Sequence, residues 1–223
     1  MSKKTAVKKE CLIRRAKGRV ELNPKGRAWA SARRVSIDVF PWYEKGRKQA
    51  AQVALLYDDR AVYALFVCQD RHIFAKRTIP NSLVSRDSCV EFFATPDPFR
   101  NEYFNFETNC CGTMHLGFGR WRSKRRLADA KIFRSIRIAT SVPTRTKQES
   151  PSDKLWWVAV RLPFAAISAL AGQPVAPKSG SVWRVNFYRC GGRTDKQYAC
   201  WNPICWRRPN YHRPRYFGMA TFE

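Results

Sequence analysis

The chain has 223 residues, 44% of them hydrophobic and 13% aromatic, enough for a sizeable core and within the range of one β domain. Its 42 Lys and Arg against 17 Asp and Glu give a formal net charge of +25, which predicts attraction to polyanions, including non-specific attraction to nucleic acid. No apolar run reaches the roughly 18 residues that cross a bilayer, so a transmembrane segment is not expected; the basic stretch Met1 to Glu10 lacks an apolar core and cleavage site, does not read as a secretory leader, and leaves the cytoplasm as the default compartment.

In chain order, residues 1–20 read as a basic N-terminal arm or an edge segment and residues 21–223 as a single domain. Around Pro41-Trp42 the sequence mixes apolar and basic residues, as in a loop with short strands. Val53–Tyr57 and Ala61–Cys68 are β-rich runs, and Asp58-Asp59-Arg60 between them makes a hairpin turn. After a basic loop over residues 71–86, the segments Asp87–Phe93 and Tyr103–Asn109 alternate apolar and polar side chains, as half-buried strands do. Thr113–Gly119 reads as a strand that runs into a basic tip, Arg120–Arg126, and Ile132–Ala139 as a further strand. Residues 141–153 read as a surface loop. Trp156–Leu162 is a strand, Pro163 opens a short helix closed by Gly172, Trp183–Tyr188 alternates again, and Gly218–Phe222 is the last strand. Many strands with turns at regular intervals and one short helix predict an all-β fold, a distorted antiparallel β-sandwich of two sheets.

The polar positions of the alternating strands carry Glu91, Asn105, Glu107 and Asn186. Acids and amides in such a ladder suit sugar hydroxyls, and the C-terminal loop adds Trp206, Tyr211 and His212 for stacking and polar contacts. Arg86 and Arg213 offer partners for the carboxylate or sulfate of an acidic glycan. For hydrolysis, Glu91 and Glu107 are the carboxylates available as a pair, although the surrounding basic residues favour ionised, paired acids over a proton donor. No Gly-x-Ser-x-Gly elbow, P-loop or nucleic-acid fingerprint occurs. Cys190, Cys200, Cys205 and His212 match no zinc spacing, and the eight cysteines read as reduced.

Taken together, Ala61–Val67 with Gln69-Asp70, Asp87–Phe93, Tyr103–Asn109, Leu162-Pro163-Phe164, Trp183–Tyr188 and the closing Trp201-Asn202-Pro203 to Phe217-Gly218 resemble, in order, the strands of carbohydrate-binding module family 9. The resemblance covers residues 53–223. It implies a jelly-roll or immunoglobulin-like β-sandwich, non-catalytic sugar binding, frequent attachment to xylanases, and structural calcium in some members. It implies that a reducing-end sugar is held between two tryptophans, assisted by a glutamate at the position of Glu91 and a polar residue near that of Asn105. Here Ser85 stands at the first tryptophan's position and Tyr211-His212 at the second's. The leading expectation is a non-catalytic domain that binds the end of a carbohydrate, an acidic polysaccharide included. A small glycan-active hydrolase, or a basic module for nucleic acid or membrane surfaces, stand as alternatives.

Overall fold

The computed structural model describes residues 8–144, 146, 148–194 and 196–223. The first seven residues of the expected arm, and positions 145 and 147 of the loop expected over 141–153, lie outside the described residues. The chain forms strands β1 (Glu10–Arg15), β2 (Arg34–Ile37), β3 (Ala51–Tyr57), β4 (Ala61–Gln69), β5 (Cys89–Thr95), β6 (Tyr103–Asn109) and β7 (Met114–Gly119). There follow β8 (Arg126–Leu127), helix α1 (Ala130–Ser135), β9 (Arg137–Thr140), β10 (Leu155–Pro163), helix α2 (Phe164–Ala171), β11 (Val182–Cys190), β12 (Tyr198–Cys200) and β13 (Gly218–Phe222). Among the described residues, no helix is long and apolar enough to cross a membrane.

The strands make one curled, mixed sheet in the order β8-β7-β6-β5-β11-β13-β1-β3-β4-β10-β9, with β12 on β11 and β2 on β3. Strand β1 joins the two halves. It runs parallel to β13 through Glu10–Ile13 and parallel to β3 through Arg14 and Arg15. Within the stretch expected to be an arm or an edge segment, Glu10–Arg15 thus lies inside the sheet, between β13 and β3. The lysines and arginines there hide an alternation that buries Cys11 and Ile13. It also means that the two expected antiparallel layers are continuous through a parallel strand.

The halves fold onto one core because each strand has period-two side chains. Val53, Leu55, Val62, Ala64 and Phe66 of one half meet Val90, Phe92, Phe104, Phe106 and Phe187 of the other. The Phe66 and Phe187 ring centroids are 6.5 Å apart, and those of Phe92 and Phe187 5.2 Å. Burying each such ring contributes about 2–3 kcal/mol. The other face of β5, β6 and β11 then points away from this core and carries Glu91, Asn105 and Glu107.

Helix α2 follows the sequence. Pro163 at its N-cap has φ −65°, and Gly172 ends it in the left-handed region at φ 71°. Helix α1 corrects the strand expected over Ile132–Ala139. The Asp129 side chain accepts a hydrogen bond from the Ile132 backbone N–H at 2.8 Å and starts a helical turn, so that only Arg137–Thr140 is extended.

A carboxylate cleft on the outer sheet face

The strand registers define the site. β5 and β6 place Glu91 opposite Glu107 and Phe93 opposite Asn105. β11 places Tyr188 beside Glu91, and β7 places His115 beside Glu107. One transverse row, Tyr188–Glu91–Glu107–His115, therefore crosses four strands on the face turned from the main core. Its polarity is the polar half of the same alternation that buries Phe92 and Phe106.

Each end of the row is fixed. Tyr188 stacks on Tyr211 at 4.0 Å between ring centroids and 11° between planes. The Tyr211 hydroxyl donates to a backbone carbonyl, with Arg189 O at 3.0 Å and Ala199 O at 3.1 Å. At the other end the Asn105 amide Nδ2 donates to Glu107 Oε1 at 2.7 Å, while its Oδ1 accepts from Arg125 Nε at 2.8 Å. Arg125 also lies over the Tyr103 ring at 4.2 Å. The Tyr103 hydroxyl and His212 Nδ1 are hydrogen-bonded at 2.8 Å. Burial, with Arg125 and Arg122 nearby, lowers the His212 pKa to about 3, so this imidazole is neutral.

Two contiguous hollows open over the row. One, of about 270 Å³, is lined by Glu91, Glu107, Arg86, Arg122, Tyr198 and Tyr211 among others. The second, of about 390 Å³, is lined by Asn105, Glu107, His115, Lys124, Arg125 and His212 among others. Leu83, Ser85, Arg122 and His212 border both.

The electrostatics separate the two carboxyls. Burial, and then the charge of Glu107, push Glu91 well above the ordinary carboxylate range; the Cys190 thiol, donating to Glu91 Oε1 at 3.3 Å, and Arg122 offset this only in part. Burial raises Glu107 too, but His115, the Asn105 amide, Arg125 and Arg122 all favour its charged form. Burial and mutual repulsion thus hold both carboxyls above the ordinary range, and the neighbours that favour a charged carboxylate are more numerous around Glu107.

Of the residues expected at a sugar site, the structure brings Arg86, Glu91, Asn105, Glu107, Tyr211 and His212 to this cleft. It does not bring Asn186 or Trp206. Asn186 is fully buried; its Nδ2 donates to Asn202 O at 3.0 Å and its Oδ1 accepts from Asn202 N at 2.9 Å, pinning the loop after β12. Trp206 borders a separate apolar hollow with Val39, Pro41 and Pro203. Arg213 sits 3.6 Å over the Trp206 ring, and so is engaged away from the cleft. Sequence reasoning missed Arg122, His115 and Tyr198 as lining residues. The parity of β7 against β6 signals His115; nothing local signals the other two.

Among the described residues, no group of three or more His, Cys, Asp or Glu is placed to hold a metal ion. The buried carboxylates Asp70 and Asp87 lie 3.0 Å from Arg189 and 2.5 Å from Arg77. Guanidinium groups thus supply the positive charge that a structural calcium would bring, and these residues do not fit that ion. Cys11, Cys68, Cys89, Cys110, Cys190, Cys200 and Cys205 are free thiols.

Comparison with known proteins agrees with this architecture. No curated protein sequence matches the chain. A candidate carbohydrate-binding protein from Bacteroides uniformis ATCC 8492 is similar at TM-score 0.84 and 24% identity, covering 97% of this chain and 100% of that one. A family 9 carbohydrate-binding module from Caldicellulosiruptor kristjanssonii, solved with cellotriose, is similar at TM-score 0.62 and 15% identity over 96% of this chain and 94% of that one. The same kind of module from that organism, solved with glucose, gives TM-score 0.61 at 15% identity, over 96% of both chains. The model of carbohydrate-binding family 9 matches residues 25–222, a span that holds both halves of the sheet and every residue of the cleft; the chain belongs to that family.

Proposed function

We propose that the cleft binds the terminal unit of a glycan without cleaving it, and that acidic glycans are favoured. The observation that carries this reading is the Glu91–Glu107 pair on the cleft floor, bordered by Arg86 and Arg122 and by the rings of Tyr198 and Tyr211. A sugar hydroxyl donates to an ionised carboxylate and accepts from a guanidinium, so this floor and rim satisfy both halves of a hydroxyl. The wall positions differ from a slot between two tryptophans. Ser85 stands on one side, and the Tyr211 ring face is already covered by Tyr188. Affinity must therefore come more from polar and charged contacts than from stacking. That shifts preference from plain glucans towards sugars that carry their own charge.

Calorimetry with cellotriose, glucose and a uronic-acid trisaccharide tests the reading. Binding of at least one is expected, and Glu107→Gln is expected to weaken it about tenfold, as loss of a charged hydrogen bond does. Absence of binding to all three would overturn it. The raised carboxyl of Glu91 favours a second reading, hydrolysis with Glu91 as acid. A glycosidase needs its carboxyl groups about 5–9.5 Å apart, on either side of the scissile bond. Glu91 and Glu107 lie in register on adjacent strands and share one floor. Glu91→Gln distinguishes the two readings: a hydrolase loses turnover, whereas a binding domain keeps most of its affinity because the amide resembles the protonated acid.

A further inference from the structure

A third hollow, of about 890 Å³, adjoins the cleft and shares Ser85, Arg86 and Tyr198 with it. It is lined by Lys76, Arg77, Arg86, Arg193 and Lys196 with no carboxylate among its described lining residues. These cations come from three separate parts of the chain: the linker after β4, the 3-10 turn Val84–Arg86 and the β11–β12 loop. Their convergence is built in. Gly192 approaches the linker so closely that a Cβ there would lie 2.9 Å from Phe74 Cβ and 3.1 Å from Ser88 Oγ. Phe74 is in turn tied to the start of β5 by Ser88 N donating to its carbonyl at 2.7 Å.

Of the five cations, Arg77 is neutralised by Asp87 at 2.5 Å. Among the described residues, Lys76, Arg86, Arg193 and Lys196 make no ion pair and no side-chain hydrogen bond. Glu149 lies near the β11–β12 loop, but its oxygens accept from the backbone N–H groups of Arg193 and Thr194 at 2.9 and 2.8 Å and from the Thr194 hydroxyl. It holds the loop in place, and among the described residues no carboxylate pairs with the Arg193 guanidinium.

We infer that this basic hollow is an anion subsite that takes the carboxylate or sulfate of an acidic glycan whose neighbouring unit lies over Glu91 and Glu107. The inference rests on the sugar-binding reading of the cleft and names the charge that accompanies the sugar. Contiguity decides for a glycan over an isolated anion: Arg86 and Tyr198 face both hollows, so a chain of two or three sugar units leaving the carboxylate floor passes directly among the cations.

The test uses the full chain and the triple variant Lys76→Gln/Arg193→Gln/Lys196→Gln, which leaves the cleft residues intact. Probes are cellotriose, tri-galacturonic acid, a trisulfated heparin disaccharide, inorganic sulfate and a short oligonucleotide, read by calorimetry at low and moderate salt and by amide NMR shifts of Gly191 and Gly192. The triple variant is expected to weaken at least one anionic sugar about tenfold, each exposed cation giving about a twofold effect at low salt, and to leave cellotriose unchanged. The uronate and sulfate arms separate the two sources of negative charge. Equal affinity of wild type and variant for both anionic sugars overturns the subsite while the cleft reading stands. Gly191 and Gly192 shifts with sulfate, but no sugar binding, sink the cleft reading and with it the glycan assignment, leaving only a site for free anions. An oligonucleotide that binds more tightly than either anionic sugar overturns the glycan assignment.

Discussion

Glu91 and Glu107 stand opposite one another on neighbouring strands, buried from solvent at 3% and 8% exposure, yet they form the floor of an open cleft. Two like charges held in such a place raise each other's proton affinity, and the stability of the fold then depends on pH. The Glu91 carboxyl is raised in the folded chain, so that chain binds more protons than the unfolded one above the ordinary carboxylate range. Stability is fully present below the unfolded value and is lost as pH rises through the raised folded value. Glu91→Gln removes this loss. The variant is expected to melt about 2–4 °C higher than wild type at pH 8, with a flatter profile between pH 4 and 8. Two parallel melting profiles would mean that Glu91 ionises normally.

Asp70 and Arg189 give an asymmetric prediction. The Asp70 carboxylate accepts from Trp156 Nε1 at 3.0 Å, Ser88 Oγ at 2.9 Å and His72 N at 3.0 Å, in addition to its ion pair with Arg189. Arg189 is wholly buried, and its guanidinium nitrogens form no well-aligned hydrogen bond. Removing Arg189 leaves a carboxylate with three donors, whereas removing Asp70 leaves a bare buried cation. Asp70→Ala is therefore expected to cost about 3–5 kcal/mol, and Arg189→Met clearly less. Urea denaturation of both variants checks the order. An equal loss would show that the pair is worth the same from either side.

Much of this arrangement is legible in the sequence. The alternation of Asp87–Phe93 and Tyr103–Asn109 places Phe92 and Phe106 inward and Glu91 and Glu107 outward, and period two allows no other sorting. Pro163 and Gly172 bracket α2 for the same local reasons that operate in any helix. What the sequence hides is long-range. β1 reads as a charged arm because its basic side chains lie at positions that the sheet leaves exposed, and only its parallel pairing with β13 shows Cys11 and Ile13 to be core. Asn186 shares the parity of Glu91's face, but the loop after β12 lies over it and takes up its amide. Trp206 is close to Tyr211 in sequence, yet it borders a different hollow, with Val39, Pro41 and Pro203, and its ring is covered by Arg213.

Arg125 links fold and cleft. Its guanidinium reaches the carbonyls of Tyr103, Gly117, Gly119 and Trp121 as well as Asn105 Oδ1. A lysine cannot span that fan of acceptors, because its ammonium is a compact point charge and lacks the planar fork. Arg125→Lys is expected to lower stability by about 2 kcal/mol and to weaken sugar binding through the freed Asn105 amide. Denaturant titration and calorimetry on the same variant check both losses. Lost stability with unchanged affinity would confine Arg125 to the β7–β8 turn.

The two aromatic questions are settled by a pair of variants with opposite expectations. Trp206 borders the hollow with Val39 and Pro41, under Arg213 at 3.6 Å and Arg215 at 5.4 Å, and touches no cleft residue's hollow. Trp206→Ala is expected to leave affinity for cellotriose and for uronic-acid trisaccharide unchanged within twofold. Ser85 is partly exposed and borders the carboxylate floor, so an indole placed there lies beside a bound sugar ring. Ser85→Trp is expected to raise cellotriose affinity by up to about tenfold, since an aromatic face adds roughly 0.5–1.5 kcal/mol beyond its buried area. The gain should be smaller for the acidic probe, whose charge already meets Arg86. A loss of affinity in Trp206→Ala, with none gained in Ser85→Trp, would move the sugar from the carboxylate floor to the apolar hollow of the terminal loop.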